Sequence, residues 1–394
     1  MRRQHPRKTP FNDSSLTAEV RQKSTEERSV ALEGNALQTS SESDAEINSA
    51  QLSLGKRLLN WRTLVPLAIV LGFLVYTAQK LHINPGQTWA AIRSANLAFF
   101  CAAFLIYYLS FPIRTLRWHL LLENVGYTSK SATPLPPFGI LLEILFTSWF
   151  ANAVVPAKLG DVYRAYLLRQ EAGVSATRTF GTVLAERLLD LSVLLLLFLT
   201  AIIVSLHENL PTFLRAGLYL TLAIVVLGTI ALFLLRLYRA HIRRFVPSRF
   251  QGYYDQLQVG TLGSFKRLPL LLPLTVIIWL CEAGRFFFIA LALNLIPGSL
   301  LHIGAAAMFI ALGEALLTIV PFTSGGIGLV ESGMIGMLAL FTPARNQAAA
   351  GVLLDRAISL LSVLVIGLIV FLIGSARRAA RNKQKLDSFP GPEL

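Results

Sequence analysis

The chain has 394 residues, of which 54% are hydrophobic and only 15% are charged, and its mean hydropathy is +0.57. This composition indicates a polytopic membrane protein and argues against a soluble enzyme domain. The net charge of +14 does not favour nucleic-acid binding, because the basic residues lie in short clusters beside apolar runs, as the positive-inside rule expects. Two isolated cysteines and scattered histidines predict no disulfide framework, no metal site and no cofactor.

The chain begins with a polar segment that is rich in Ser, Thr, Glu and Gln. It carries too little apolar surface to offset the entropy of ordering, so residues 1–60 are predicted to be a disordered cytoplasmic tail. A plain linker and a regulatory or partner-binding role both remain open for it. Lys56, Arg57 and Arg62 then precede the first apolar run, Leu64–Ala78, and place its start in the cytoplasm.

A transmembrane domain is predicted over residues 61–375. Its second apolar run, Leu97–Arg114, is followed by Arg117 and Trp118, a basic and aromatic pattern typical of a cytoplasmic interface. Basic clusters in the connector 236–267 and in the tail 376–394 predict that both are cytoplasmic. The later runs are Phe138–Leu168, Phe180–Ser205, Leu214–Leu235, Leu270–Ile296, Ile303–Pro321, Ile327–Phe341 and Gly351–Ile373.

Two stretches interrupt these runs with proline, glycine and polar residues. They read FANAVVPAKLGDVYRAYLL (150–168) and IVPFTSGGIGLVESG (319–333), and each is followed by a run with an acid and an arginine near its start. Parity places both ends of the first element in the cytoplasm and both ends of the second outside. We therefore predict an all-α integral membrane bundle of six full spans and two broken re-entrant hairpins, related as an inverted internal repeat. Eight spans would satisfy the same parity.

The acid and arginine residues in the apolar runs are candidates for chemistry. Three charges in one run, Glu186, Arg187 and Asp190, cost on the order of 7 to 10 kcal/mol in lipid, so they must face the protein or a wet cavity. An internal ion pair that only holds helices together and a cavity for a charged headgroup both remain open. The same holds for Glu282, Arg285, Glu314 and Glu143.

The breaks add features that suit an anion. The helix that begins at Gly160 and Asp161 points its positive end inward, and nearby cations reinforce it. The substrate-binding residues predicted on these grounds are Lys158, Asp161, Arg164, Glu186, Arg187, Asp190, Glu331, Asp355 and Arg356. The residues predicted to shape the breaks are Pro156, Gly160, Pro321, Gly325, Gly326 and Gly328.

The stretches NAVVPAKLGDVYRAYLL, TRTFGTVLAERLLDL, PFTSGGIGLVESG and GVLLDRAISLL resemble the transmembrane region of lysylphosphatidylglycerol synthases. The resemblance covers roughly Leu64–Ile373. It implies the flipping of an aminoacylated phospholipid, while the cytoplasmic synthase domain of full-length members is expected to be absent. Stand-alone relatives are similar to proteins linked with polyprenyl-phosphate sugars or other envelope lipids.

We therefore expect a multi-pass protein of the bacterial inner membrane, with both termini cytoplasmic, that flips a phosphate-containing lipid between the two broken hairpins. No enzymatic activity and no catalytic residue are expected. The alternatives are a membrane transferase acting on a lipid-linked sugar and a non-catalytic scaffold for an envelope-lipid enzyme. The expected partner is a phospholipid or polyprenyl-type lipid, nucleic acid is not expected, and a homodimer and a separate envelope-lipid enzyme remain open.

Overall fold

The computed structural model describes residues 83–128, 134–155, 158–206, 244–319 and 326–387, together with residue 79 and a few positions between 219 and 237. The predicted tail 1–60, the run Leu64–Ala78, most of the run Leu214–Leu235 and residues 388–394 lie outside the described residues. Within the described ranges the chain is helical and contains no strand.

The helices of this part of the chain are numbered here in sequence order. They are α1 (Pro85–Arg93), α2 (Leu97–Asn124), α3 (Phe138–Val154), α4 (Gly160–Ala172), α5 (Ala176–Leu206), α6 (Ser248–Gly263), α7 (Leu268–Ala292), α8 (Leu300–Ile319), α9 (Leu329–Leu338), α10 (Arg345–Arg356) and α11 (Val363–Asp387). A 3₁₀ turn (Ser264–Arg267) joins α6 to α7, and a π-helical turn (Ala357–Ser362) joins α10 to α11.

Four described helical stretches are long and apolar enough to cross a membrane. The shortest has 19 residues, or about 29 Å of helix, which matches a hydrocarbon core of about 30 Å. Leucines on their outer surfaces are exposed, as lipid-facing residues are in a structure without lipid. The predicted class, an all-α integral membrane protein, is therefore confirmed. The stretches are Leu97–Asn124, Ser248–Ala292, Leu300–Thr318 and Arg345–Arg381.

Helix α2 corrects one sequence prediction. The second run was expected to end at Arg114 beside the interface, but the helix continues to Asn124 and buries Arg114, Arg117 and Trp118. The arginines are not interface anchors because carboxylates on other helices neutralise them inside the protein. Charge therefore does not mark the end of this helix.

The two predicted breaks separate pairs of helices that pack against each other, α3 with α4 and α8 with α9. The first pair approaches closely, because Ser148 Oγ donates to the Gly160 carbonyl at 2.9 Å and a Cβ at Gly160 would lie 2.1 Å from the Ser148 carbonyl oxygen. Helix α9 has only ten residues, about 15 Å, which is half of the hydrocarbon thickness. Re-entry of these pairs into the membrane stays a prediction.

The largest apolar core is formed by α5, α7, α8 and α9, and a second core surrounds Trp118 between α2, α3 and α4. Helix α2 packs along α7, α5 packs against α8, and α3 packs against α11. Each of the two helix pairs thus packs against a long helix, α11 for the first pair and α5 for the second. This packing directs the two breaks toward a common interior.

Candidate functional site

A cavity of about 420 Å³ lies at the junction of the two breaks. Val155 and Lys158 of the first break and Gly326 of the second line it, together with the aromatic side chains of Tyr107, Trp149 and Trp279. Its charged lining combines five basic and four acidic residues: Arg114, Lys158, Arg187, Arg285, Arg356, Asp161, Asp190, Glu282 and Glu314.

The cavity and the layer behind it hold two groups of charged side chains. The amino-terminal cluster contains four basic and three acidic residues: Arg117, Lys158, Arg164, Arg187, Asp161, Glu186 and Asp190. The carboxyl-terminal cluster contains three basic and four acidic residues: Arg114, Arg285, Arg356, Glu282, Glu314, Glu331 and Asp355.

Arg117 is the centre of the amino-terminal cluster and is fully buried. It donates to Asp190 at 2.5 Å and to Glu186 at 2.9 Å, and its Nη1 also donates to Thr275 at 3.0 Å. The Glu186 carboxylate accepts a second charged bond from Arg164 at 3.0 Å. Buried carboxylates require such charge-assisted bonds, because an unpaired buried charge is strongly destabilising.

Arg164 lies behind the cavity and does not line it. Its guanidinium stacks on the Trp118 ring, with the guanidinium carbon 3.8 Å from the ring centroid. Arg164 therefore does not face the cavity in which it was predicted to meet a phosphate, and it instead fixes the position of Glu186. Trp118 was expected at the membrane interface, but it forms this buried stack.

Arg187 reaches the cavity and forms a two-point pair with Asp161, at 2.7 and 2.9 Å. Asp161 occupies the first turn of α4, where a carboxylate complements the positive end of the helix. This helix end, which the sequence predicted as an anion site, thus already holds a carboxylate. Arg187 also lies 3.8 Å from Asp190, the i+3 pairing that the sequence permits.

Lys158 differs from the other basic residues of the cluster. Within the described part of the chain it makes no hydrogen bond and no salt bridge, and the carboxylates that interact with it through space are Asp161 and Asp190. Its backbone has a φ of 53°, which costs free energy for a residue with a side chain. The break therefore holds a strained cation at the cavity wall without a bonded counterion.

The carboxyl-terminal cluster centres on Arg285, which is also fully buried. It donates to Glu314 at 2.6 Å and pairs with Asp355, so one guanidinium serves two carboxylates. Arg356 approaches Glu314 at 3.5 Å and Glu331 at 2.7 Å. The second acid and arginine pair therefore faces the interior, as the first pair does.

The sequence did not predict that Arg114 joins Glu282 and Arg285 in this cluster. Arg114 donates to Glu282 at 2.6 Å while its guanidinium lies over the Trp149 ring at 4.6 Å. Glu282 and Arg285, three residues apart on α7, are 3.5 Å from each other, as the sequence spacing allows. Glu143 lies elsewhere and pairs with Arg377 and other residues of α11.

In the described part of the second break, the amino-terminal end of α9 is already occupied by a carboxylate. The Glu331 carboxylate accepts a bond from the Gly328 amide at 2.5 Å and so occupies the amino-terminal end of α9 itself. Gly326 and Gly328 have positive φ values of 71° and 92°, which glycine adopts without strain. The residues Pro156, Pro321 and Gly325 lie outside the described residues.

The structure thus brings the predicted substrate-binding residues into two adjoining clusters and divides them by position. Those that line the cavity are Lys158, Asp161, Arg187, Asp190 and Arg356, and those that lie behind it are Arg164, Glu186, Glu331 and Asp355. Sequence reasoning missed Arg114 and Arg117 as members of the site. No group of three or more His, Cys, Asp or Glu side chains among the described residues is arranged to hold a metal ion.

Comparisons with known proteins place this chain in a family. The family described as lysylphosphatidylglycerol synthase TM region matches residues 63–367. A UPF0104 membrane protein of Methanocaldococcus jannaschii is 31% identical over 57% of this chain and 94% of its own length. Another, of Methanothermobacter thermautotrophicus, is 25% identical over 76% of this chain and 92% of its own length. These relatives are archaeal membrane proteins, so a membrane location is supported, while the bacterial setting and the cytoplasmic termini stay predictions.

One comparison corrects the expectation that the protein is not an enzyme. A protein of Haloferax volcanii named glycosyltransferase AglD is 24% identical over 78% of this chain, and the match covers 54% of that protein. The chain thus spans about half the length of that relative. Because a relative carries an enzyme name, the absence of enzymatic activity does not follow from membership of this group. On the family match and on the archaeal relatives, the chain belongs to the lysylphosphatidylglycerol synthase transmembrane region family.

Proposed function

We propose that this protein moves a lipid with an anionic, phosphate-containing headgroup across the membrane, and that the headgroup passes through the cavity between the two breaks. The observation that carries the proposal is the charged lining, which has five basic and four acidic residues inside an apolar-surfaced helical protein. Intramembrane charge is costly and is retained mainly where it serves a site. The lipid would be a phospholipid or a polyprenyl-type lipid, and the termini would lie on the cytoplasmic side.

The size of the cavity supports a division between headgroup and tails. A volume of about 420 Å³ falls at the lower end of the range of about 300 to 1,000 Å³ for small-molecule sites. It accommodates a phosphate-bearing headgroup but not long hydrocarbon chains. In this proposal the tails remain in the bilayer while the headgroup crosses inside the protein.

The cavity residues take different roles in this proposal. Lys158 makes the first contact with the phosphate, since it has no bonded counterion among the described residues. Arg187 of the amino-terminal cluster and Arg356 of the carboxyl-terminal cluster bind the phosphate next, each in exchange for a carboxylate partner. Residues behind the cavity, such as Arg164 and Glu186, hold these groups in place and do not contact the lipid.

The test is a translocation assay in proteoliposomes. The purified full chain is reconstituted into phosphatidylcholine vesicles with tail-labelled NBD-phosphatidylglycerol, and dithionite reports how fast the inner-leaflet probe becomes accessible. Wild-type protein is expected to accelerate the exchange over protein-free vesicles. The variants Lys158→Met and Arg187→Gln are expected to slow it by about tenfold or more, because each removes a charged contact of roughly 1.5 to 3 kcal/mol.

The matched control is Glu123→Gln, which changes an exposed pair with Arg267 outside the cavity. It should exchange the probe at the wild-type rate. The proposal fails if wild-type protein does not accelerate the exchange. It also fails if both cavity variants remain folded by gel filtration and circular dichroism and still exchange the probe at the wild-type rate.

A second function is favoured by one observation, the name of the Haloferax relative. In that case the protein is a membrane transferase that acts on a lipid-linked sugar, and a cavity carboxylate such as Asp190 or Glu282 serves as the general base. Transfer of a radiolabelled sugar from a lipid-linked donor to an acceptor, lost in Asp190→Asn and in Glu282→Gln, would support it. If the protein moves lipid but transfers no sugar, only the first proposal remains.

A further inference from the structure

Two buried carboxyl groups in the carboxyl-terminal cluster share one arginine. Asp355 is fully buried, and Glu314 is nearly so. Both pair with Arg285, so the two carboxyl groups lie against the same guanidinium. Two carboxylates that share one buried site repel each other when both are ionised, and a proton on one of them removes that repulsion.

The surroundings of Asp355 identify a place for that proton. Its Oδ1 atom is buried and accepts no hydrogen bond from any donor in the described part of the chain. The Ser359 hydroxyl lies 3.5 Å from the Asp355 Oδ2 atom and from the Glu314 Oε1 atom, at the limit for a bond. A proton on Asp355 would turn an unsatisfied acceptor into a donor.

The groups that face this pair come from several helices. Besides Arg285, they are Glu282 of α7, Glu331 of α9, Arg356 of α10 and Tyr107 of α2, whose ring lies 5.4 Å from the Arg285 guanidinium carbon. The pair thus belongs to a cluster with four acidic and three basic residues. With every group ionised, this cluster therefore carries a net charge of −1.

The other cluster has the opposite surplus, with four basic and three acidic residues. With every group ionised, the two clusters together carry seven positive and seven negative charges and are neutral. One proton on the Glu314 and Asp355 pair leaves a net charge of +1. That charge matches a phosphodiester monoanion in a cavity where an uncompensated charge is costly.

A local irregularity lies at the same position. Directly after Arg356 the chain forms a π-helical turn, Ala357–Ser362, which carries Ser359 toward the carboxyl pair. Single π-helical turns inside α-helices occur often at functional sites. The irregular turn and the carboxyl pair meet at one place, where Ser359 and Glu314 line the cavity and Asp355 lies directly behind them.

We propose that the Glu314 and Asp355 pair is a proton-binding site, and that its protonation and the binding of an anionic headgroup in the cavity favour each other. This inference rests on the proposed function and adds the coupling ion to it. Linkage makes the effect reciprocal, so binding of the anion draws in about one proton and the proton raises the affinity for the anion. Affinity is fully present at low pH and is lost as the pH rises and the pair loses its proton.

The test measures protons and not transport. The purified full chain in detergent is titrated with dihexanoyl phosphatidylglycerol by calorimetry, in buffers of different ionisation enthalpy, between about pH 5 and pH 9. The result expected is an uptake that approaches one proton per bound probe. Over the same pH range the affinity should fall by up to tenfold per pH unit.

Asp355→Asn keeps the shape of the side chain and mimics its protonated form. It is expected to bind the probe with less proton uptake than wild type, and the pH dependence that remains should be that of the Lys158 amine in the cavity. Glu314→Gln should give the same result and replaces the first variant if that one does not fold. Glu123→Gln, outside the cavity, should keep the wild-type uptake.

The outcomes separate this inference from the function on which it rests. If wild-type protein binds the probe with no proton uptake across the range, or if both variants keep the uptake, the proton site is refuted while lipid transport stands. If wild-type protein neither binds nor exchanges phosphatidylglycerol, both proposals fall together.

Discussion

Loss of the Arg117 charge should destabilise this protein more than the loss of any exposed arginine. Arg117→Met removes three charged bonds, two to Asp190 at 2.5 and 3.2 Å and one to Glu186 at 2.9 Å. It leaves Glu186 with Arg164 at 3.0 Å and Asp190 with Arg187 at 3.8 Å. Asp190 is thus almost uncompensated in a buried site.

The expected cost is about 3 to 5 kcal/mol, the range for removing one partner of a buried ion pair. The assay is the free energy of unfolding, measured by titration of the detergent-solubilised protein with sodium dodecyl sulfate and followed by circular dichroism. A variant that also carries Asp190→Asn should recover most of the loss, because the poorly compensated Asp190 charge is gone and Glu186 keeps its pair with Arg164.

The matched control is Arg267→Met, the same substitution at a half-exposed arginine that pairs with Glu123. An exposed pair contributes about 0 to 1 kcal/mol, so this variant should unfold close to wild type. The reasoning is refuted if Arg117→Met costs less than about 1 kcal/mol, or if the combined variant is no more stable than Arg117→Met alone.

Three further predictions follow from single contacts. Lys158→Met should slow translocation by about tenfold or more with little change in unfolding free energy, whereas Lys266→Met outside the cavity should leave the rate unchanged, as the dithionite assay will report. Gly160→Ala should lower the free energy of unfolding by about 1 to 3 kcal/mol, because its Cβ would lie 2.1 Å from a carbonyl oxygen of α3. Gly139→Ala, which has open space around its Cβ, should not lower it, and unfolding in detergent will test both variants. Arg377→Gln should loosen α11 from the carboxylates of α3 and α4 to which it pairs at 2.6 and 3.1 Å, visible as faster amide hydrogen exchange in α11, and an unchanged exchange rate would contradict it.

The sequence predicted the class of the fold because composition and long apolar runs leave few alternatives in a bilayer. It also located the two breaks, since proline and glycine inside an apolar run are rare without a reason. The exact ends of the helices were less accessible. Helix α5 starts at Ala176 and not at Phe180, because its first turn carries polar residues with partners elsewhere in the chain, such as Arg178 with Gln256.

The anion-binding role of the two helix ends was harder to judge from the sequence. Both ends carry an acidic residue in the first turn, Asp161 and Glu331. The Asp161 carboxylate lies at the start of α4 and is paired with Arg187. The Glu331 carboxylate lies at the start of α9 and accepts a bond from the Gly328 amide. A carboxylate in the first turn therefore predicts a filled helix end as readily as a site for phosphate.

The arginines missed on α2 leave a trace in the charge balance of the apolar runs. Outside α2, the two clusters contain seven carboxylates but only five basic side chains, so two of the carboxylates lack a counterion. Burial requires that the missing cations come from elsewhere in the chain. Arg114 and Arg117 supply them, one to each cluster, and their spacing of three residues puts both on neighbouring positions of one helix face. Helix α2 therefore joins the two clusters electrostatically.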